Sequence, residues 1–415
     1  MNIYLCDKIE YLYFIEDEIM IHYSDDRKQK INQLDKFLVE CMLKEINSLE
    51  EIVRNAIESF GITDKKEVVL DRISEYIKDK QYIDTTKNDN EIKIFGEIGK
   101  KYPETLDIEL TNGCNLNCSH CYKRANDFIV EYIDYTMVDK VCSKLKDKAR
   151  SILLTGGEAT THPEFVKIVN RCHEDFEIDL MSNGLRLHET PVEVLKKFNT
   201  IGITIYGLDS DEYYKITKNK TGYEQLYKSC ELLKEHNIEY YLNIVLNDTN
   251  FNRLEEYILL AEELGATYFK VGVANKVGRA IEDDNFDTWS LSKDSINSAY
   301  KELRMLKKKY KDKIEVLVWG RESKKRANES EKICSNGLPC GAGIERWCMS
   351  EKGDFRPCSM ISPEFITLNY DKWESYIEGE YDLMWCEQIK RYEKDCKAAN
   401  VDLAEMCEVF EQLLG

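Results

Sequence analysis

Up to about residue 85 the chain mixes short β-rich runs with helical periodicity. Residues 10–15 and 18–23 are rich in Tyr, Ile, Phe and Met and flank the polar pair Glu16 and Asp17, which predicts a hairpin. Helices are predicted over 28–43, 48–60 and 65–78, and Ser48 and Glu51 are spaced as a capping box at the second. Leu34, Phe37, Leu38, Cys41 and Met42 fall on one helical face, as do Ile52, Val53, Ala56 and Ile57. From Thr105 the rhythm becomes strand then helix, repeated. Residues 106–110, 151–154, 177–181, 200–205, 239–246 and 267–273 read as strands with helical patterns between them. That alternation predicts a parallel sheet with right-handed crossovers, either doubly wound or curled into a partial barrel. In a barrel the chemistry sits on loops after the strand C-terminal ends.

The most distinctive residues fall on those loops. After the first strand, Cys114, Cys118 and Cys121 stand in one short loop, with three and then two residues between them. A structural zinc site would want a fourth protein ligand, and none lies locally. A cubane iron–sulfur cluster held by three cysteines instead leaves its fourth iron open, which is a catalytic arrangement. After the second strand come Gly156, Gly157 and Glu158, and after the third Ser182 and Asn183. Either pair alone would be only a turn. Further along, Cys340, Gly353 and Cys358 have twelve and then four intervening residues, and Gly353 predicts a hairpin between its flanking cysteines. Cys386, Cys396 and Cys407 follow at wide spacing, while Cys6, Cys41, Cys142, Cys172 and Cys230 sit in predicted strands or on apolar helix faces as packing residues.

Composition narrows the classes. Over 415 residues, 15 cysteines without a signal-peptide pattern at the N-terminus point to metal ligands in a reducing compartment, so the expected location is cytoplasmic. The formal charge of −19 offers no basic stripe for a phosphate backbone, so no nucleic acid is expected. No apolar run of eighteen residues occurs, so no membrane span is expected.

Taken in order, the segments LTNGCNLNCSHC, TGGEA, SNGL and VGRA resemble the radical S-adenosylmethionine superfamily. The resemblance implies a [4Fe-4S] cluster on Cys114, Cys118 and Cys121, with His120 at the aromatic position before the third cysteine. It implies that Gly156, Gly157 and Glu158 bind the methionine amino group of S-adenosyl-L-methionine, and that Ser182 and Asn183 face its ribose or methionine portion. Tyr206 stands where relatives more often carry a serine near the ribose. Asn243, Asn247 and the 276–279 segment with Arg279 match cofactor- or substrate-facing positions.

The N-terminal pattern resembles the precursor-recognition element of peptide maturation systems, in which a leader peptide adds as a strand to a sheet edge; an ordinary winged-helix-like cap is the alternative. The segment from Cys340 to Cys358 resembles the start of a short twitch/SPASM-like extension. That implies one auxiliary Fe–S cluster on Cys340, Cys358, Cys386 and Cys396, with Cys334, Cys348 and Cys407 competing. The expected fold class is thus α/β: a partial (β/α)6 TIM-like barrel over 86–315, an N-terminal α+β winged-helix-like domain over 1–85 and a small Fe–S domain over 316–415. The implied function is radical modification of a ribosomally made precursor peptide, bound through its leader. The favoured product is a cysteine sulfur-to-carbon thioether of the sactionine type, with electrons from an external donor of flavodoxin or ferredoxin type. Other radical peptide modifications, and a non-catalytic peptide-binding Fe–S scaffold, are the alternatives.

Overall fold

The computed structural model describes residues 1–25, 27–88, 90–126, 128–273, 278–281, 290–318, 343, 345–359 and 367–380. The N-terminal part opens with β1 (Tyr4–Leu5), the hairpin β2 (Ile9–Ile15) and β3 (Glu18–Tyr23), and the short β4 (Lys28–Lys30). Helices α1 (Gln33–Leu43), α2 (Leu49–Phe60) and α3 (Lys66–Tyr76) follow, then β5 (Ile83–Asp84) and β6 (Lys93–Gly96). β1 pairs with β5, and the main sheet runs β4-β3-β2-β6.

Two expectations are corrected here. The first helix begins after β4 instead of at Lys28, because Lys28 to Lys30 pair with β3 and Asn32 then caps α1 by accepting from the Leu34 and Asp35 amides, both at 3.0 Å. The capping box at Ser48 does not form. Ser48 makes no side-chain cap and its backbone instead bridges to Asn2.

β2 is apolar on both faces because both are covered. Leu12 and Phe14, with Ile19 and Ile21 of β3, pack on the three helices, whereas Tyr11, Tyr13, Ile15 and Met20 form the opposite face with Phe95. That second face docks on the next part of the chain. The Tyr13 hydroxyl donates to the Tyr102 carbonyl at 2.5 Å, and the Tyr11 hydroxyl donates to Glu104 at 2.7 Å. Glu104, only 4% exposed, also meets Lys28 at 3.3 Å and Arg150 at 3.4 Å. The Arg150 guanidinium lies 5.3 Å over the Tyr11 ring, and His22 stacks on that ring with centroids 4.0 Å apart.

The remainder is a wound sheet. In chain order it comprises β7 (Thr105–Glu109), α4 (Tyr135–Leu145), β8 (Ser151–Thr155), α5 (Phe165–Asp175), β9 (Glu177–Ser182), α6 (Val192–Leu195) and β10 (Thr200–Thr204). It continues with α7 (Ser210–Thr217), α8 (Gly222–Glu235), β11 (Tyr240–Leu246), α9 (Leu254–Leu264), β12 (Tyr268–Val273), α10 (Lys293–Tyr310) and β13 (Glu315–Val318). The six expected strands are present, and each boundary lies within one residue of expectation. All are parallel, with β13 as a seventh.

At the other edge lies the hairpin expected at Gly353, whose addition to the barrel sheet the sequence pattern did not reveal. β14 (Arg346–Met349) adds in parallel to β7, and β15 (Phe355–Arg356) turns back antiparallel at Gly353, where φ is +78°. α11 (Tyr370–Ile377) closes over this hairpin, with Trp373 stacked on Phe355 at 3.9 Å. Leu106, Ile108, Leu154, Ile178, Leu180 and Ile203 are buried in the main core, which leaves the alternate strand positions for the barrel interior. Among the described residues no helix is long and apolar enough to cross a membrane.

The Glu104 cluster makes stability pH-dependent. Burial lowers His22 to about 3. Burial alone would raise Glu104, but Lys28, His22, Tyr11 and Arg150 together bring it down to about 2. Both groups refuse protons that the unfolded chain accepts, so their contribution is complete above about pH 6.5 and is lost as pH falls toward the folded values. The wild-type melting temperature should fall between pH 7.5 and pH 5. In His22→Phe, which keeps the ring on Tyr11 and cannot titrate, the fall should be smaller; equal falls in scanning calorimetry would refute the assignment.

Candidate cluster and cofactor site

The loop after β7 is built by its asparagines. Asn112 donates to the Ile129 carbonyl at 3.0 Å and accepts from the Glu131 amide at 2.8 Å. Asn126, in the left-handed region at φ +71°, accepts from the Cys114 amide at 2.9 Å and donates to the carbonyls of Cys114 and Leu116 at 2.8 and 3.0 Å. Sequence reasoning missed Asn126, whose partners lie ten and twelve residues away.

Cys118 is buried, and Cys114 and Cys121 are half-buried. The sulfurs receive N–H donors: Leu116 to Cys114 and Ala125 to Cys121, each at 3.4 Å, and the Asn183 amide to Cys114 at 3.6 Å. Burial, then the Glu158 carboxylate, pushes the Cys114 thiol up to about 12; burial, then Cys121, does the same to Cys118. Cys114 and Cys118, desolvated and close to other thiols, would need cationic iron beside them to ionise. Among the described residues no three His, Cys, Asp or Glu groups close on a single metal ion. Three thiols in one loop, two of them met by backbone N–H groups, are a donor set that would suit an iron–sulfur cluster.

Gly156 and Gly157 have a steric role in the protein itself. Gly156 adopts φ +139°, and a Cβ there would lie 2.6 Å from the Thr111 carbonyl oxygen; one on Gly157 would lie 2.2 Å from that of Gly113. Across this seam the Gly157 amide donates to Thr111 at 2.7 Å and the Glu158 amide to Gly113 at 2.9 Å. The glycines let the β8 loop pair with the cysteine loop.

Glu158, 1% exposed, accepts from the Thr160 amide and hydroxyl at 3.1 and 2.7 Å, from Ser182 Oγ at 2.8 Å and from the Asn183 amide at 2.7 Å. It thereby sets Ser182 and Asn183. Asn183 in turn donates to Asn115 Oδ1 at 2.6 Å and to the Cys114 sulfur. Three loops thus share one network.

His120 and Tyr206 meet behind the cysteines, ring centroids 5.7 Å apart. Burial, then the Arg279 charge, lowers His120 to about 4, so it is neutral near pH 7. Tyr206 reaches the Cys118 sulfur. Arg279 likewise straps this loop: its amide donates to the Cys121 carbonyl at 2.9 Å, and its guanidinium to the carbonyls of Cys118, at 2.5 Å, and Ala125. Gly278 before it, at φ +59°, leaves a Cβ only 2.1 Å from the Tyr122 carbonyl oxygen. Asn243 sits mid-strand and donates to Thr204 Oγ1 at 3.4 Å, away from the three loops. Asn247 is buried and its side chain builds the turn at Thr249.

The barrel interior carries charge. Asp107 pairs with Arg346 at 2.6 Å, and Lys270 lies 4.0 Å over the Tyr241 ring. Fully buried Glu109 pairs with both Lys123 and Arg356. Cys348 is buried on β14 and Cys358 half-buried after β15, and both thiols act electrostatically on Arg346. Cys334, Cys340, Cys386, Cys396 and Cys407 lie outside the described residues.

Because Asn126 alone bonds two cysteine-loop carbonyls and an amide, Asn126→Ala should reduce iron incorporation several-fold on anaerobic reconstitution. Three bonds at about 1 kcal/mol each are at stake. Asn126→Gly retains the left-handed backbone and isolates the lost hydrogen bonds. Iron and sulfide content, with circular dichroism to verify folding, reads the outcome; wild-type loading of both variants would refute the clamp.

Residues 108–261 match the family model of the Radical SAM superfamily. The chain is 24% identical over 306 residues to the sporulation killing factor maturation protein SkfB of Bacillus subtilis (strain 168), covering 72% of this chain and 71% of that protein. It is 23% identical over 341 residues to the antilisterial bacteriocin subtilosin biosynthesis protein AlbA of the same organism, covering 80% and 72%. In fold it is similar to Streptococcus suis SuiB bound to precursor peptide SuiA, with a TM-score of 0.64 at 12% identity over 92% of this chain and 89% of that one. The cysteine loop, its glycine seam and the parallel sheet that carries them make this a radical S-adenosylmethionine domain, in a chain that resembles the peptide maturases of that superfamily.

Proposed function

We propose that the chain modifies a ribosomally made precursor peptide by linking a cysteine sulfur to a carbon. The observation that carries this reading is the single network from Glu158 through Asn183 to Cys114, which sets three loops at the C-terminal ends of adjacent strands around one thiol cluster. Cys114, Cys118 and Cys121 would hold the [4Fe-4S] cluster. Gly156, Gly157, Glu158, Ser182 and Asn183 border the place for S-adenosylmethionine. Bound together, the two cofactors would supply a 5′-deoxyadenosyl radical able to take hydrogen from an unactivated peptide carbon. His120, Tyr206 and Arg279 hold the loop from behind, and Asn243 lines the interior.

The interior fits a polar chain more than an apolar small molecule. Asp107, Arg346 and Lys270 offer charge, and Glu109 Oε1 is a buried acceptor without a partner among the described residues, suited to a peptide N–H. Similarity to SkfB and AlbA supports a peptide substrate, as does likeness in fold to a structure holding a precursor peptide. The N-terminal sheet and helices, which extend through β6, would bind the leader, the parallel strands β7 to β13 would form the barrel, and the segment after β13 would carry the auxiliary cluster. That cluster would be ligated by Cys340, Cys358, Cys386 and Cys396, and Cys348 competes because it shares Arg346 with Cys358. Thioether formation removes two hydrogens and needs somewhere for the second electron to go, which the auxiliary cluster supplies. The cluster on the three-cysteine loop would be reduced by a flavodoxin or ferredoxin in the cytoplasm.

The test is anaerobic reaction of the reconstituted protein with S-adenosylmethionine, reductant and the precursor peptide encoded beside it. Intact mass is read with and without thiol alkylation. The expected product has lost two hydrogens and one alkylatable thiol. The same mass with every thiol still alkylatable would replace the thioether by a carbon–carbon link, and no 5′-deoxyadenosine from a loaded protein would overturn the radical reading.

A further inference from the structure

The proposed function requires one external electron to reach the three-cysteine loop, and the inference drawn here rests on that reading. The outer face of this loop opens on a cleft of about 350 Å³, whose walls include Cys114, Asn115, Asn126, Lys218, Asn219 and Lys220. The stretch joining α7 to α8 forms one wall and is tied to the cysteine loop. The Asn117 amide donates to the Thr217 carbonyl at 3.0 Å, and Asn219 Nδ2 donates to the Asn115 carbonyl at 3.4 Å.

The charge of this wall is opposite to that of the chain as a whole. The sequence carries 77 acidic against 58 basic residues, yet between Glu212 and Glu224 it has no acid and three lysines, Lys215, Lys218 and Lys220, all exposed. Lys218, in the left-handed cap position at φ +61°, folds its ammonium back onto the Lys215 carbonyl at 2.7 Å, which gathers the charges at one end of α7. None of the three is in an ion pair among the described residues. Lys218 and Lys220 line the cleft together with half-buried Cys114, and Lys215 lies one turn back on α7.

We propose that this wall is the docking surface for a small acidic one-electron carrier protein. An acidic carrier is repelled by most of a chain of net charge −19 and is steered to basic stretches, of which the wall between Glu212 and Glu224 is one. That place adjoins Cys114, so the carrier is brought to the outer side of the loop while the side toward the barrel interior remains for cofactor and peptide. A cluster held by Cys114, Cys118 and Cys121 would take up the one electron that the carrier gives up. The carrier is restored by its own reductase.

The experiment measures the affinity of purified oxidised flavodoxin for the reconstituted protein by calorimetry, at low and moderate salt. Lys215→Glu with Lys220→Glu should weaken binding at least tenfold at low salt and flatten its salt dependence. Lys301→Glu with Lys308→Glu, which makes the same charge change on exposed positions of α10, should leave affinity within twofold. Flavodoxin-supported release of 5′-deoxyadenosine should fall with affinity in the first variant, while dithionite-supported release remains at the wild-type rate. Equal weakening by both variants, or none by the first, overturns the docking surface. Absence of 5′-deoxyadenosine with dithionite in the wild type overturns the radical reading, and the docking inference with it, whatever the binding result.

Discussion

The seam between the cysteine loop and the Gly156–Gly157 turn is the constraint on which the site depends. Thr111 and Gly113 offer their carbonyls to the amides of Gly157 and Glu158, and the room for that approach exists only because neither glycine carries a Cβ. Pairing continues the sheet past the ends of β7 and β8, so the loop that bears the thiols is held as an extra rung of the ladder. Once the seam is closed, Glu158 is fixed, and its two oxygens then set Ser182 and Asn183 on the next loop. A side chain at either glycine would part the strands and release all three loops together.

A second set of contacts couples the cysteine loop to the C-terminal hairpin. Glu109, at the end of β7, is shared between Lys123 of the loop and Arg356 of β15, and Lys123 also meets Glu351 in the hairpin turn at 2.8 Å. A buried carboxylate left with one of its cations removed would be an uncompensated charge. The hairpin therefore cannot leave β7 without cost to the loop. This gives the segment around Cys348 and Cys358 a fixed place beside the barrel interior.

The sequence revealed the features whose cause is local or periodic. Buried parallel strands read as apolar runs, and six of them were placed to within a residue. The cysteine triplet was legible because its spacing lies within one loop. β4 was not, since Lys28, Gln29 and Lys30 carry no apolar signal and become a strand only because β3 has an unpaired edge. The hairpin at Gly353 was legible, but the pairing of β14 with β7 was not, because β7 is remote in the chain. The same limit applies to the site: Asn126, Arg279 and Tyr206 make tertiary contacts with the cysteine loop that no local pattern announces. Glycine pairs look alike in sequence whether they make room for a ligand or for backbone.

The docking of the N-terminal sheet has a geometric consequence on the proposed reading. Tyr11 and Tyr13 contact Glu104 and Tyr102, which precede β7, and Arg150 precedes β8, so the sheet sits at the N-terminal end of the barrel. The cysteine loop lies at the opposite end. Five residues of β7 separate the two levels, a rise of about 17 Å at roughly 3.3 Å per residue. A peptide held by the sheet must run along the outside of the barrel and turn in over the mouth, so at least about five extended residues have to lie between the part that is bound and the part that reacts. The Glu104 cluster makes this spacing a fixed length, because it holds the N-terminal sheet to the strands whose far ends carry the cysteine loop and its glycine seam.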